Sequence, residues 1–295
     1  MESLRLPLTQ SPEYARTLRC LGVPLRQGFA GSARAPALSW LIQSRRLPVL
    51  GHVELLSRGP VARRAADLED WLPLCRNRRR VPLLLNADGP EAPALRRAGF
   101  WPLITPATIA LLPLGTDSAM RAAMHPKWRS HLNRLERQAL RISRHPLAAD
   151  HWLLDAEARQ ARARRYRSLP PGLLIAFAQT NPGKALIWEA RHNGAPVAAI
   201  AVLRHGRMAT WQIGVTLSEG RKRGAMTALL WEAMRWLAGH GHDLLDLGML
   251  NSDDAPGLTR FKLRSGARAH RLGGTWLHLN ALAPIARRLP PALAA

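Results

Sequence analysis

The sequence has few cysteines, no long hydrophobic run and no recognisable leader. Cys20 and Cys75 lie far apart without CxxC spacing, so we predict neither a disulfide framework nor a metal site and expect two buried thiols. No stretch approaches the roughly 18 to 20 consecutive apolar residues of a membrane span. The first residues also lack the basic start and apolar core of a secretion signal. These absences predict a cytoplasmic protein without a transmembrane segment.

Acidic residues are scarce as well. The chain has 20 Asp and Glu against 43 Lys and Arg, a formal net charge of +23. Such a charge favours RNA, phosphate-rich cofactors or peripheral contact with an anionic membrane surface, and composition does not choose among them. Most of the positive charge is Arg, which a coding bias against Lys also produces. No aromatic RNA-recognition motif or zinc knuckle is present, so sequence-specific RNA binding is not predicted.

Length and composition predict two globular domains. A chain of 295 residues with 47% apolar residues more naturally forms two domains than one. Helical and extended patterns alternate between Gly and Pro breaks, as in an α+β protein. A helix cap at 115–118 follows a strand at 108–114, and we therefore predict domains at 1–115 and 116–295. Each is expected to be a mixed, mostly antiparallel sheet flanked by helices.

The clearest local elements of the first domain lie near its start. Ser11 caps a predicted helix over 10–22, with Pro12 in the first turn. Strands at 37–44 and 52–56 form a hairpin-like pair.

In the second domain, a basic helical pattern over 120–142 becomes regular from Pro126. It is either a solvated linker or a basic wall for a phosphate-bearing donor. Strands at 184–191 and 195–204 meet at Asn193-Gly194, a favoured tight-turn dipeptide. A strand, a loop and an amphipathic helix follow at 208–216, 218–225 and 226–239.

The stretch from 243 to 276 organises the rest of the chain. It predicts an apolar strand at 244–250, a turn rich in Asp and Gly, a short basic helix with Phe261 and Lys262, and a final strand after Gly266. Lys262 is one of only four lysines. Lysine offers a compact charge on a flexible stem, whereas arginine presents a fixed fork. Lys262 is therefore a candidate catalytic cation, with a solvated helix lysine as the alternative.

This closing stretch resembles that of the Fem family of aminoacyl and peptidyl transferases, which belong with the GNAT-like N-acyltransferases. The matching residues are Asp246, Gly248, Gly257, Leu258, Phe261, Lys262 and Gly266. Three upstream segments resemble family landmarks in the same order: Gln10-Ser11-Pro12-Glu13-Tyr14, Ser57-Arg58-Gly59-Pro60 and the basic helix at 127–141. The resemblance implies two tandem GNAT-like domains.

The resemblance also implies roles for individual residues. Lys262 would stabilise the developing negative charge of the tetrahedral state, and Phe261 would pack beside it. Fem-type enzymes take aminoacyl-tRNA as donor and need no metal. Asp246, Asp253, Asp254 or a positioned water are candidates for the general base, and Asp246 is the best of them by motif. A hydrogen-bonding role at the strand end is the alternative for Asp246.

A second motif points to the donor. Five residues form a Gly-containing basic loop before a helix, where backbone N–H groups, the helix dipole and cationic side chains can bind a pyrophosphate. They are Arg221, Lys222, Arg223, Gly224 and Ala225. The loop resembles the coenzyme A loop of GNAT enzymes at Arg221 and Gly224, but Met226 stands where that pattern has a small residue. A basic loop with a helix cap is the alternative.

These patterns predict a GNAT-type N-acyltransferase. It would move an acyl group from acyl-CoA, or an aminoacyl group from aminoacyl-tRNA, to an amine acceptor, with no permanently bound cofactor. A nucleophile elbow with an ordered triad is absent, which disfavours a covalent acyl-enzyme. The mechanism requires the Lys262 ammonium to project between two splayed strands. The alternative is a non-catalytic basic protein that binds RNA or a membrane surface on a decayed transferase fold.

Overall fold

The chain divides into two compact units, each built on one seven-stranded sheet. The structure is a computed structural model that describes residues 4–32, 35–47, 51–76, 81–89, 92–137, 140–166 and 169–288. Unit 1 comprises Met1–Thr108 and Arg271–Ala295, and unit 2 comprises Ile109–His270. Helices flank both sheets. The predicted α+β architecture with two mixed, mostly antiparallel sheets is therefore confirmed.

Unit 1 begins with a capped helix. The Ser11 hydroxyl accepts a hydrogen bond from the Tyr14 N–H (3.1 Å), which confirms the predicted cap. Its elements are α1 Pro12–Cys20, β1 Leu25–Ser32, β2 Ala35–Leu47, β3 Gly51–Ser57, β4 Val61–Ala62, α2 Ala65–Arg76, β5 Leu83–Ala87, α3 Ala92–Arg97 and β6 Phe100–Ile104. The predicted pairing of 37–44 with 52–56 is confirmed by the antiparallel register of β2 and β3. β3 and β5 run parallel.

Unit 2 follows in one continuous stretch. Its elements are β7 Thr108–Pro113, α4 Asp117–Ala123, α5 Pro126–Leu135, β8 Arg141–Pro146, α6 Trp152–Arg164, α7 Pro171–Thr180, β9 Ala185–His192, β10 Ala195–His205, β11 Met208–Thr216, α8 Ser218–Lys222, α9 Ala225–Gly239, β12 Leu244–Met249, α10 Pro256–Arg264 and β13 Arg268–Arg271. The strand order is β13-β7-β12-β11-β10-β9-β8, in which β11 and β12 run parallel. The apolar face of α9, including Leu229 and Leu230, is fully buried in the core of this unit. The predicted hairpin at Asn193-Gly194 is confirmed.

The last strand returns to unit 1. β14 Gly274–His278 lies between β5 and β6 and pairs antiparallel with both, and α11 Ala283–Ala286 follows it. The order of that sheet is β1-β2-β3-β5-β14-β6, with β4 paired to β2. β7, which directly follows unit 1 in sequence, lies in the sheet of unit 2 instead. The units therefore differ from the predicted ranges 1–115 and 116–295, because strand pairing groups residues that are remote in sequence.

Several local expectations need correction. The helical pattern at 120–142 is two helices followed by a strand, and Arg141 is the first residue of β8 rather than a helix residue. Residues 138 and 139 of that pattern lie outside the described part. The predicted loop at 218–225 contains the short helix α8. Cys20 is exposed at the end of α1 rather than buried, and the Cys75 side chain is outside the described part. Within the described part of the chain, every helix is too short or too polar to span a bilayer.

Candidate functional site

The sheet of unit 2 opens between its two parallel strands. The described register joins β11 to β12 at only three pairs, from Met208↔Leu244 to Thr210↔Asp246. β11 nevertheless continues to Thr216, and β12 continues to Met249. The strands therefore separate over their carboxyl ends, the edge at which ligands bind in open sheets with parallel strands.

A cavity of about 950 Å³ lies at this opening. Thr216 lines it from the end of β11, and residues from α5, α8, α9 and α10 complete the wall. The cavity is large enough for a small-molecule ligand or cofactor.

The cavity wall is strongly cationic. Lys127, Arg221, Arg260 and Arg264 line it together with His131, and none of its described lining residues is acidic. Within the described part of the chain, these four Lys and Arg side chains form no ion pair. An anionic ligand would therefore meet cations that are not already neutralised.

Three helices begin at the same cavity. Lys127 is the second residue of α5, Gly224 caps α9, and Gly257 is the second residue of α10. The first turns of these helices contain no acidic residue, and neither α9 nor α10 has a side-chain cap. The N-terminal end of a helix carries a partial positive charge and N–H groups without helical partners. Together the three ends suit phosphate binding.

Aromatic rings lie at the base of the opening. Phe261 lines the cavity and contacts Trp211 of β11 edge to face, with ring centroids 6.3 Å apart. Its ring is also 6.1 Å from that of Trp128, another cavity residue. Phe261 thus bridges α10 to the separated end of β11 and helps to keep the strands apart.

Lys262 lies behind this aromatic residue and does not line the cavity. Its side chain is buried (6% exposed), and Nζ donates a hydrogen bond to the Met249 carbonyl at the end of β12 (2.8 Å). Burial lowers the pKa of Lys262 to about 8, and the nearby Asp246 carboxylate opposes that shift. The ammonium is therefore a poorly solvated charge at the end of the strand that turns away from β11.

Asp246 shapes the same strand end. It is 2% exposed, and its Oδ1 accepts a hydrogen bond from the Gly248 N–H (2.7 Å). Gly248 has φ +75°, and a Cβ atom there would lie 3.9 Å from Lys262 Nζ. The carboxylate thus holds a turn that only glycine adopts without strain and lies close to the ammonium.

The five predicted donor-binding residues divide into two groups. Arg221 and Gly224 line the cavity. Lys222 and Arg223 instead pair with Glu219, at 3.8 and 2.8 Å, and Ala225 is fully buried in the core. Met226 also lines the cavity, so a bulky side chain does occupy the position noted in the sequence.

Sequence reasoning missed several cavity residues. Trp128 and His131 of α5 were not predicted, although the basic residues of α5 recur at Lys127, His131 and Arg134, a spacing that places them on one helix face. Arg260 and Arg264, two residues on either side of Lys262 in α10, also line the cavity.

One cluster outside the cavity has the composition of a metal site. His145, His151 and Glu189 bring their potential ligand atoms within 4.8 Å of one another. The Nδ1 atom of His151 accepts a hydrogen bond from the Leu153 N–H, so the ring proton is on Nε2, which lies 3.2 Å from Glu189. The same carboxylate also accepts a hydrogen bond from Arg191 (2.6 Å). The described contacts thus use these groups as hydrogen-bond partners of the fold.

Comparison with known proteins agrees with this geometry. Residues 122–263 match the model of the acetyltransferase (GNAT) domain family. A search of curated sequences gives no match. The likeness to this family spans just under half of the chain, and the matched segment contains every residue that lines the cavity except Arg264.

Solved structures extend the likeness to the whole chain. FemX is similar with a TM-score of 0.77 and 12% identity, over 96% of this chain and 95% of that one. The C-terminal domain of a putative lysylphosphatidylglycerol synthetase from Agrobacterium fabrum is similar with a TM-score of 0.58 and 14% identity. The match covers 94% of this chain and 91% of that one. L-PGS from Bacillus licheniformis is similar with a TM-score of 0.52 and 13% identity. The match covers 96% of this chain and 98% of that one. At these identities the likeness establishes a shared fold, and the predicted α+β fold with two mixed sheets flanked by helices is confirmed.

Proposed function

We propose that the protein is an N-acyltransferase that moves an acyl or aminoacyl group from a phosphate-bearing donor to an amine. The observation that carries this proposal is the convergence of three helix N-termini and four cationic side chains, which form no ion pair with any described residue, on the opening between β11 and β12. Acyl-CoA carries the acyl group on a pantetheine arm joined to a nucleotide, and aminoacyl-tRNA carries it on its terminal nucleotide. Neither would be a permanently bound cofactor.

The chemistry needs few groups. The uncharged amine attacks the donor carbonyl, forming a C–N bond and an oxyanion. The intermediate then collapses as the C–S or C–O bond to the donor breaks. The amine proton leaves to solvent or a base, and the leaving thiolate or alkoxide is protonated. A poorly solvated cation near the oxyanion lowers the barrier, because its charge is weakly screened. We assign this role to Lys262, whose Nζ would have to leave the Met249 carbonyl and reach the cavity.

We assign supporting roles to two neighbours of Lys262. Phe261 would form the wall against which the acyl group packs, since its ring reaches both the cavity and Trp211. Asp246 would act as a positioning residue, because its carboxylate already binds the Gly248 N–H and lies close to the ammonium. A positioned water then suffices as the base.

The test is direct transfer. Purified protein is incubated with acetyl-CoA or with aminoacyl-tRNA and a panel of amines, and products are identified by mass spectrometry. We expect one donor to raise the melting temperature by binding the folded state and to label an amine. Binding without transfer to any amine in the panel would contradict the proposal.

The second candidate is a non-catalytic protein that binds a polyanion, such as RNA or an anionic membrane surface. The formal net charge of +23 favours it. In that case RNA or anionic vesicles would bind with steep salt dependence, and Lys262→Ala would leave binding unchanged because the buried ammonium does not line the cavity.

A further inference from the structure

An open surface depression, which we call the α5 groove, lies along one side of α5. It measures about 510 Å³ and is lined by Pro126, Lys127, Ser130, His131 and Arg134. Lys127 and His131 also line the cavity at the opening between β11 and β12, which we call the donor cavity. A ligand seated in the donor cavity can therefore extend into the α5 groove across two shared side chains.

His131 has a defined tautomer at this junction. The Arg134 guanidinium lies 2.8 Å from His131 Nδ1, and arginine can only donate, so Nδ1 accepts and the ring proton is on Nε2. Burial, followed by the charge of Arg134, lowers the pKa of His131 and favours the neutral ring. The neutral ring thus keeps one N–H available as a donor.

The Nε2 side of the ring faces the start of α9. A Cβ atom built on Gly224 would lie 2.4 Å from His131 Nε2, so the ring packs against the glycine that caps the helix. No hydrogen bond to Nε2 is found among the described residues. The N–H therefore lies beside the helix end that would receive a phosphate.

The charges of α5 are segregated. On another face of the helix, Asn133 and Glu136 accept hydrogen bonds from Arg121. On the groove face, Lys127 and Arg134 form no ion pair with any described residue. Seven residues separate them, a rise of about 10 Å. The groove is therefore an extended cationic surface.

We propose that the α5 groove binds a second phosphate of the donor's nucleotide portion, with His131 Nε2 donating at the junction and Arg134 supplying the outer charge. The inference rests on the proposed donor site. The shared chemistry is a phosphate outside the first one bound: the 3′-phosphate of coenzyme A, or a phosphodiester near the acceptor end of tRNA. In either case the groove lengthens the recognised part of the donor beyond its acyl end.

Arg134→Gln removes the outer charge and keeps an N–H that can hold the His131 tautomer. Arg137→Gln is the matched control, since Arg137 is exposed near the same helix end and lines neither cavity. Calorimetry measures binding of CoA, 3′-dephospho-CoA and an RNA minihelix ending in CCA.

If coenzyme A is the donor, Arg134→Gln should weaken the binding of CoA about tenfold and leave the binding of 3′-dephospho-CoA unchanged. If RNA is the donor, Arg134→Gln should bind the minihelix about tenfold more weakly. The slope of the logarithm of the binding constant against the logarithm of the salt concentration should fall by about 1 in magnitude. Arg137→Gln should match wild type throughout. Equal effects of the two variants on all probes, or wild-type protein that binds none of them, would overturn the inference.

Imidazole nitrogens give a readout that needs no turnover. Long-range ¹H–¹⁵N spectra should show the Nε2–H tautomer of His131 and a shift of Nε2 on addition of inorganic pyrophosphate. His131→Phe should weaken CoA or minihelix binding, and His131→Gln, which retains an N–H, should restore part of it. A protonated Nδ1, or no shift, would overturn the role of His131. If the protein binds CoA or the minihelix through the α5 groove but transfers no acyl group to an amine, only the proposed function is refuted.

Discussion

Two pairs of neighbouring strands that run parallel, β3 with β5 in unit 1 and β11 with β12 in unit 2, end differently. In unit 1, β3 and β5 stay in register to the last residue of β3, at Ser57↔Asn86. In unit 2, the register of β11 and β12 stops at Thr210↔Asp246, well before β11 ends. The same strand arrangement is therefore closed in one unit and open in the other.

Side chains at the strand ends explain this difference. In unit 1, the Asn86 amide donates to Ser57 Oγ (3.3 Å), and Arg58 Nε donates to Asp88 (3.0 Å). In unit 2, the corresponding space holds the ring contact between Trp211 and Phe261. Polar links close the first pair, whereas aromatic rings keep the second apart. The sheet topology alone thus does not make a site.

The sharpest test of the open pair is Lys262→Met. We expect kcat to fall by about 100-fold or more, equivalent to about 2.7 kcal/mol, because one charge that stabilises the oxyanion is removed. Steady-state kinetics with the identified donor and amine provide the measurement, and Lys262→Arg, which keeps the charge, should retain part of the rate. A Lys262→Met enzyme with wild-type kcat would refute the assigned role.

A pair of glycine variants compares the two units directly. Gly224 in unit 2 and Gly51 in unit 1 both have positive φ, at +61° and +64°. Alanine at either position should cost about 1–2 kcal/mol of stability from backbone strain. Only Gly224→Ala should also raise the donor KM, by about tenfold, because the new methyl group displaces His131. If both variants changed KM alike, the donor site would not be at the start of α9.

The pH dependence of transfer should reveal the buried ammonium. The charged form of Lys262 is the active one, so kcat should fall about tenfold per pH unit above about 8. Lys262→Arg should remove this limb, since arginine stays charged. Rates that keep rising above that pH in wild type would argue against an essential ammonium.

The same group links stability to pH. Its folded pKa is below the unfolded value of 10.5, so the unfolded state binds more protons between about 8 and 10.5. The contribution of Lys262 to the free energy of unfolding should therefore rise with pH across this window. Comparison of urea unfolding of wild type and Lys262→Met at several pH values isolates this contribution.

The smallest effect is expected in the closed pair. Asn86→Ala removes the link to Ser57 and should lower the free energy of unfolding by about 1 kcal/mol, with transfer unchanged. Chemical denaturation and the transfer assay measure the two quantities. Loss of transfer without loss of stability would mean that the strand ends of unit 1 also take part in the reaction.

The sequence predicted those elements whose signals are local. The cap at Ser11, the turn at Asn193-Gly194 and the strand that became β11 were each specified by neighbouring residues. β1 was missed because its residues are mostly exposed and lack apolar alternation. Arg141 was assigned to a helix because basic residues recur at helical spacing on both sides of the break.

The site shows the same limit. Gly224 and Phe261 were predicted from motifs, and both line the cavity. The spacing of basic residues places His131 on one face of α5, but its role could not be predicted, because it depends on α5 packing beside the start of α9, a contact between segments about 90 residues apart in the chain. Tertiary proximity, rather than residue type, decides which basic side chains of this Arg-rich chain meet at one place.

The position of β14 has a consequence for biosynthesis. This strand lies between β5 and β6 in the sheet of unit 1, yet its residues, Gly274–His278, are translated after all of unit 2. Every strand in the sheet of unit 2, from β7 to β13, is translated before β14. The sheet of unit 1 therefore cannot be completed until residues 274–278 have been translated, and the sheet of unit 2 can form first, the reverse of the usual order for domains in one polypeptide.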